Sequence, residues 1–476
     1  MLKRSCLLLL FCTSLHAQSM LQPMYQPGGT LPNLTVYDAL SPMTTANGPG
    51  WWYFVGLLKD QNHEDHSLQA TILRANFANT PYGIGVMGFT FKNTAGKTLY
   101  LWNLYPDVNS LVHYPIAKLD YANADQNNYH LQMQSDSSTN PFLYQFSHDV
   151  NDAQHRIGQI GARYILTAEG AGEVGASENN LQLVNYQLQM TLEDTRGVLP
   201  EGDNGYVGQD AAHLTNAQNS WEFTAPNMRV LQWKMTISPA QQTNANALLT
   251  QPVTFESSDA NNRVWLDRQI LNKNAVVTSI MQNQLSHTLP TQTIEPLYHG
   301  TWMSFCFNQA PFHNICGDVV AIWNKNTPTN MMNSDETAIG GFANLFTPDS
   351  NNGFPIQVGN VLTENLTVDG NMKSLPYVVM NDPNSVFQSP VSGHHYAQTV
   401  TVKLHKNTLI SAYLNTLDTD YHDGYTLRFV ALSKQTENVM LSNSNGFYEG
   451  AALVYLCRDN QCEKIGTGFI EQMGYS

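Results

Sequence analysis

Asp267 is the residue whose type and surroundings come nearest to chemistry. It lies in Val264-Trp265-Leu266-Asp267-Arg268-Gln269, with aromatic and aliphatic neighbours close by. Burial disfavours the carboxylate anion, so an Asp in such company holds its proton and can pass it to an apolar substrate. Trp265 and other aromatics would then stabilise the resulting cation through their ring faces. Arg268 opposes this by favouring the anion, but adjacent side chains on a strand point to opposite faces. The plainer alternative is that Asp267 pairs with an Arg or caps a backbone turn.

Other chemistries find no footing. The chain has no G-x-S-x-G elbow, so the common α/β-hydrolase arrangement lacks its nucleophile. His63-Glu64-Asp65-His66 has the wrong spacing for a helical zinc motif and reads as a solvated turn in a polar loop. Asp418 to Gly424 resembles a calcium loop only loosely, because the glycine comes one place late and Phe429 stands where the closing Glu belongs. No metal or cofactor is expected.

The ends and cysteines bound the compartment. Lys3 and Arg4, then Leu7–Leu10 with Phe11, then small and polar residues up to Ala17 form a signal peptide over 1–17. Its apolar run is too short to span a bilayer, and no second long apolar stretch follows. Cleavage would remove Lys3 and Arg4 and no acidic residue, taking the formal net charge from −15 to −17. Such a chain repels nucleic acid and anionic lipid surfaces. Cys306, Cys316, Cys457 and Cys462 would remain. Three pairings are open to them, and the local one, Cys306–Cys316 with Cys457–Cys462, is favoured because each pair flanks a turn. An exported chain oxidises its thiols, which disfavours a zinc site built from them and His313. The expected location is secreted or periplasmic.

Short strands bounded by Asn, Gly and Pro dominate. They include Trp51–Val55, Gln69–Phe77, Ile84–Phe91, Leu99–Leu104, Leu181–Leu192 and Thr399–Leu404, while short helices are allowed in 240–250 and 276–285. The expected fold is all-β, of sandwich or barrel type. The polar stretch 281–295 is the candidate linker, dividing the mature chain into 18–285 and 286–476. Alternation sends Trp52 and Phe54 to one face of the first strand and Trp51 and Tyr53 to the other. Trp52, Phe54, Trp265, Tyr298, His299 and Trp302 are the expected ligand contacts, the last three at a cleft between the units. Glu449 and Glu471 are expected to satisfy backbone or Arg partners inside the second unit.

Four segments together resemble the AttH-like and hydroxyneurosporene-synthase-like family. They are Gly50-Trp51-Trp52-Tyr53-Phe54-Val55-Gly56, Leu199 to Tyr206 with its Gly-Asp-x-Gly, Trp265-Leu266-Asp267, and Tyr448-Glu449-Gly450 with Gly466 to Tyr475. The chain departs from the family pattern at Gly50, Glu222, Phe223, Arg268 and Gln269. The resemblance implies two consecutive lipocalin-like (calycin) antiparallel barrels, an apolar cavity, and Asp267 as proton donor in a cofactor-free hydration of a C=C bond. It also implies an isoprenoid or lipid-like small molecule as partner. A non-enzymatic lipid or isoprenoid carrier and a surface attachment factor are the alternatives.

Overall fold

The computed structural model describes residues 50–77, 80–103, 116–123, 129–135, 141–155, 157–176, 180–201, 206–207, 220–240, 247–271, 298–324, 338–347, 356–358, 377–389, 393–418, 424–434, 436–439, 446–458 and 461–473. The signal peptide, the candidate linker and the 285/286 boundary lie outside them, as do Gly202–Gly205 and the closing Gly474-Tyr475.

Fourteen strands build the first sheet. They are β1 Gly50–Lys59, β2 Asp65–Phe77, β3 Thr80–Lys92, β4 Thr98–Trp102, β5 Ile116–Asn123, β6 Tyr129–Gln134 and β7 Leu143–His148. The remaining seven are β8 Arg163–Gly175, β9 Leu181–Asp194, β10 Leu199–Pro200, β11 Tyr206–Val207, β12 Ser220–Pro239, β13 Val253–Ser257 and β14 Arg263–Leu271. The second sheet holds β15 Tyr298–Phe307, β16 Cys316–Asn324, β17 Ala338–Phe346, β18 Ile356–Val358, β19 Tyr377–Asn381, β22 Thr399–Leu404, β23 Thr426–Ala431, β24 Glu437–Val439, β25 Gly446–Arg458 and β26 Gln461–Met473. A small hairpin pairs β20 Val386–Gln388 with β21 His395–Ala397. All the pairings are antiparallel, as the alternating sequence patterns require. The fold is thus all-β, built on two consecutive large antiparallel sheets.

The first sheet closes into a barrel. Going round it, β12 pairs with β14, then β1, β2, β3, β4, β8 and β9 follow, and β9 returns to β12. Closure depends on the length of β12. Its first half pairs with β14 and its second half with β9, with an irregularity between Ala225 and Met228. Pro226 sits in that bend, where a missing N–H costs no ladder bond and the strand can turn a corner. Within the barrel, Trp52, Phe54, Phe146 and Tyr164 pack as part of a large buried core.

The second sheet curls from β18 to β19 without joining them among the described residues, which makes a half-barrel. Helix α1 (Leu409–Leu417) contacts β18 beside this opening. Thr408 caps it by accepting from Ser411 N at 3.1 Å. The sequence reading did not foresee α1, although Thr408 ahead of Ile410 and Leu414 is a helix-start pattern.

One correction concerns His66. It is not in a solvated loop, because β2 already begins at Asp65 and alternation turns the imidazole inward. There it is buried, stacked on Phe89 at 5.1 Å, and 3.5 Å from Asp60.

Both cysteine pairs are disulfide-bonded in the local arrangement, each joining directly opposed residues of neighbouring strands. Cys306–Cys316 is buried where the two units meet, and Cys457–Cys462 lies at the far end of the β25–β26 hairpin. Closing a loop of 10 residues restricts the unfolded chain by about 2–3 kcal/mol in the chain-entropy model. The Cys306→Ala/Cys316→Ala double variant is therefore expected to unfold at distinctly lower urea concentration. An unchanged midpoint would show that this bridge contributes nothing to stability.

Candidate functional site

Strand alternation divides Trp265-Leu266-Asp267-Arg268 between two environments. Leu266 and Arg268 point into the first barrel, whereas Trp265 and Asp267 point toward the second unit. Tyr53 is the cross-strand partner of Asp267 on β1, and Thr224 is its partner on β12. Paired residues share a face, so one row of the outer wall reads Thr224, Asp267, Tyr53, Thr71. The adjacent row carries Glu222, Gln269 and Trp51.

The second unit presents the opposing wall. Trp302 on β15 is registered with Glu471 on β26, and Glu471 in turn with Glu449 on β25. One step along, Asn344, Asp318 and Ser304 form the next row. Among the contacts that stitch the two units together are two hydrogen bonds. Gln69 Nε2 donates to Glu449 Oε2 at 2.8 Å, and Ala451 N donates to Ser67 Oγ at 3.4 Å. Tyr53, Val55, Trp265, Phe346, Phe469 and the Cys306–Cys316 bridge supply the apolar part of this junction.

Buried carboxyls therefore collect between the walls. Asp267, Glu201, Glu222, Asp318, Glu449 and Glu471 are all buried. Asp267 is the hub, acting electrostatically on Glu201, Asp318, Glu449, Glu471 and the Tyr53 hydroxyl. Its Oδ2 accepts from Trp51 Nε1 at 3.0 Å, while Oδ1 has no hydrogen-bond partner. Burial pushes Asp267 up to about 6, against the Trp51 hydrogen bond and the Arg268 charge. Burial and the Asp267 charge push Glu471 up to about 8. Glu201, Asp318 and Glu449 are raised too, by burial first and neighbouring carboxyls second. Asn344 Nδ2 donates to Asp318 Oδ2 at 2.9 Å, which only partly offsets the rise. Neither Glu201 oxygen has a hydrogen-bond partner.

Arg268 does not neutralise this cluster. Its guanidinium lies inside the first barrel, 3.9 Å above the Trp52 ring, and donates to the carbonyls of Trp51 and Gln269. Gly50 leaves room for it: a Cβ there would strike the Gln269 carbonyl and sit 2.9 Å from Arg268 Nη1. Burial lowers Arg268 to about 9, so it remains a cation at neutral pH.

The expected ligand contacts fall into two compartments. Trp52 and Phe54 are in the barrel core, on the face away from Asp267. Trp265 and Trp302 belong to the junction, Trp265 edge-on to Phe469 at 5.6 Å. Tyr298 and His299 begin β15, three or four residues before Trp302. Trp51 and Tyr53 hold the Asp267 side instead. Glu449 and Glu471 face the first unit and each other, in place of the expected role inside the second unit, because hairpin register sets them side by side at the junction. Sequence reasoning missed Glu201 and Asp318, and named Glu222 only as a departure from the family pattern. Among the described residues, no three His, Cys, Asp or Glu side chains come together as a metal site.

The geometry defines a class: an all-β protein of a closed antiparallel barrel and a half-barrel whose packed faces bury acidic and aromatic side chains together. No protein-family model matches the chain, and no curated protein matches it. Solved structures do. A putative AttH from Nitrosomonas europaea is similar over 95% of this chain and 99% of its own, with 15% identity and a TM-score of 0.49. Kievitone hydratase from Nectria haematococca is similar over 96% of this chain and 99% of its own, with 12% identity and a TM-score of 0.46. CghA is similar over 96% of both chains, with 9% identity and a TM-score of 0.46.

A carboxyl raised in the folded state stabilises the fold below its unfolded pKa, and loses that contribution as pH rises through its folded value. Starting from an ordinary value of about 4, Asp267 gives up its share by about 6 and Glu471 by about 8. Asp60 and Asp152 are shifted downward by hydrogen bonds that outweigh their burial, so they act at lower pH. The melting temperature should therefore fall from about pH 4 to about pH 8, and Glu471→Gln should flatten the upper part. A melting temperature that climbs across this window would rule out a protonated cluster.

Proposed function

We propose that this is an exported protein that binds an apolar, isoprenoid- or lipid-like alkene between its two units and adds water across a C=C bond. Asp267 acts as general acid. The observation that carries the reading is the Asp267 carboxyl itself: buried, raised to about 6, anchored by Trp51 through Oδ2, and with Oδ1 unpartnered. Protonating an alkene carbon requires a neutral carboxylic acid near a surface that tolerates a cation. Trp265 and Trp302 provide aromatic rings beside Asp267. Asp267 delivers its proton to one alkene carbon, water oxygen bonds to the other, and the water's surplus proton restores a carboxyl of the cluster. The balance closes without a cofactor. The two disulfides fit a secreted or periplasmic location, and the expected division into 18–285 and 286–476 assigns one wall to each unit. Among the described residues no helix is long and apolar enough to cross a membrane.

The carrier alternative shares the site and lacks the chemistry, so turnover separates the two. Native mass spectrometry and organic extraction of the purified protein identify what it holds, and that compound is incubated in heavy-oxygen water. The wild type is expected to yield a heavy-oxygen alcohol, and Asp267→Asn to yield none while keeping the ligand and its melting temperature. Asp267→Asn that hydrates at the wild-type rate, or wild type that only releases its ligand unchanged, would exclude the acid role. Trp51→Phe deletes the donor to Oδ2 and is expected to move the alkaline limb of the pH–rate profile upward, because that hydrogen bond favours the anion. A limb that stays put or moves down would remove Trp51 from the tuning of Asp267.

A further inference from the structure

We propose that the site between the two units binds apolar organic cations, a quaternary or protonated amine on a hydrocarbon skeleton, in preference to neutral or anionic molecules of the same length. The proposal concerns equilibrium binding and stands whether or not the site hydrates an alkene.

Three features of the junction lead there. The first is the gathering of carboxyls on facing walls. Burial and the Asp267 charge act on Glu471 and Asp318, Asn344 donates to Asp318, and among the described residues the cation acting on Asp267 is Arg268, on the far face of the sheet. Glu471 and Glu449 stand directly opposite each other on adjacent strands, a placement that is unfavourable for two anions. A cation lodged beside them removes that penalty. The second feature is unmet polar capacity aimed at the junction. Asp267 Oδ1 and both Glu201 oxygens are without hydrogen-bond partners, and Asp267 and Glu201 are 7% and 1% exposed. A metal ion is the wrong occupant, because no three of these groups come together as a metal site among the described residues.

The third feature is aromatic. Trp51 and Trp302 are half-buried and flank the carboxyls from the two walls, while Tyr53 and Trp265 lie deeper. Ring faces attract an ammonium whose hydration has been stripped, and the apolar residues of the junction accommodate its alkyl part. A fatty carboxylate would add another anion to the cluster and is rejected on the same grounds.

The distinguishing signature is a proton. Surface carboxyls are already ionised at neutral pH, so a cation held on the acidic exterior displaces nothing. A cation between the units stabilises the ionised forms of Asp267 and Glu471, so their protons leave to solvent on binding. Decyltrimethylammonium, decan-1-ol and decanoate are titrated into the full-length protein at about pH 7 by calorimetry in two buffers of different ionisation enthalpy. The expected result is binding of the ammonium about tenfold tighter than the alcohol, no binding of decanoate, and proton release with the ammonium alone. Asp267→Asn and Glu471→Gln should each weaken ammonium binding while leaving the alcohol unchanged. Ammonium binding no tighter than alcohol binding would overturn the proposal. So would ammonium binding in the wild type with no proton released, a measurement that does not depend on any variant folding. A wild type that hydrates its extracted ligand yet shows no ammonium preference would refute this proposal and leave the hydration reading intact.

Discussion

The cost of taking carboxyls out of water governs this molecule. Two β-sheets, each with an adequate core of its own, meet through faces that carry Asp267, Glu201 and Glu222 on one side and Asp318, Glu449 and Glu471 on the other. Buried carboxylates without cations are expensive, and protonation is the cheapest relief. Docking the units and raising the carboxyl pKa values are therefore one event. Sheets packed for stability alone would have used Val and Leu at these positions, as the barrel interior does at Leu266 and Leu188. A polar seam between two apolar cores is where the structure departs from packing for stability alone.

Parity along two strands decides which residues meet at that seam. In β1, Trp52 and Phe54 fill the barrel while Trp51, Tyr53 and Val55 face outward. In β14, Leu266 and Arg268 go inward while Trp265 and Asp267 go outward. Because β1 and β14 pair antiparallel with Tyr53 opposite Asp267, the two outward sets form one surface. A slip of one residue in that register would exchange Asp267 for Arg268 at the junction and reverse the sign of the local charge.

Much of this was legible from the chain. Alternation separated Trp51 and Tyr53 from Trp52 and Phe54 and separated Asp267 from Arg268, since period-two geometry needs no tertiary knowledge. The strands around Thr399–Leu404 and Leu181–Leu192, and the local disulfide pairing, were readable for the same reason: each depends on neighbours in sequence. What sequence did not reveal was which face looked outward, because both faces of β1 are apolar or aromatic. Glu201 and Asp318 were invisible as site residues because their relevance arises from contacts spanning the two units. Glu449 and Glu471 were noticed, but their side-by-side placement depends on the register of the β25–β26 hairpin. Reading them as internal tethers followed from not knowing that register.

The separation of Arg268 from Asp267 carries a further consequence. A guanidinium paired directly with Asp267 would have held it ionised. Instead the sheet stands between them, and Arg268 is held by the Trp52 ring and two backbone carbonyls at the Gly50 end of β1. From there its field reaches Asp267 as a moderating influence, keeping the carboxyl near 6 while Glu471, which has no such neighbour, rises to about 8. The Trp51 hydrogen bond lowers Asp267 first and the Arg268 charge second, and together they set the two carboxyls of the seam apart. That spacing of proton affinities means that the buried carboxyls of one seam ionise in turn and not together as pH rises.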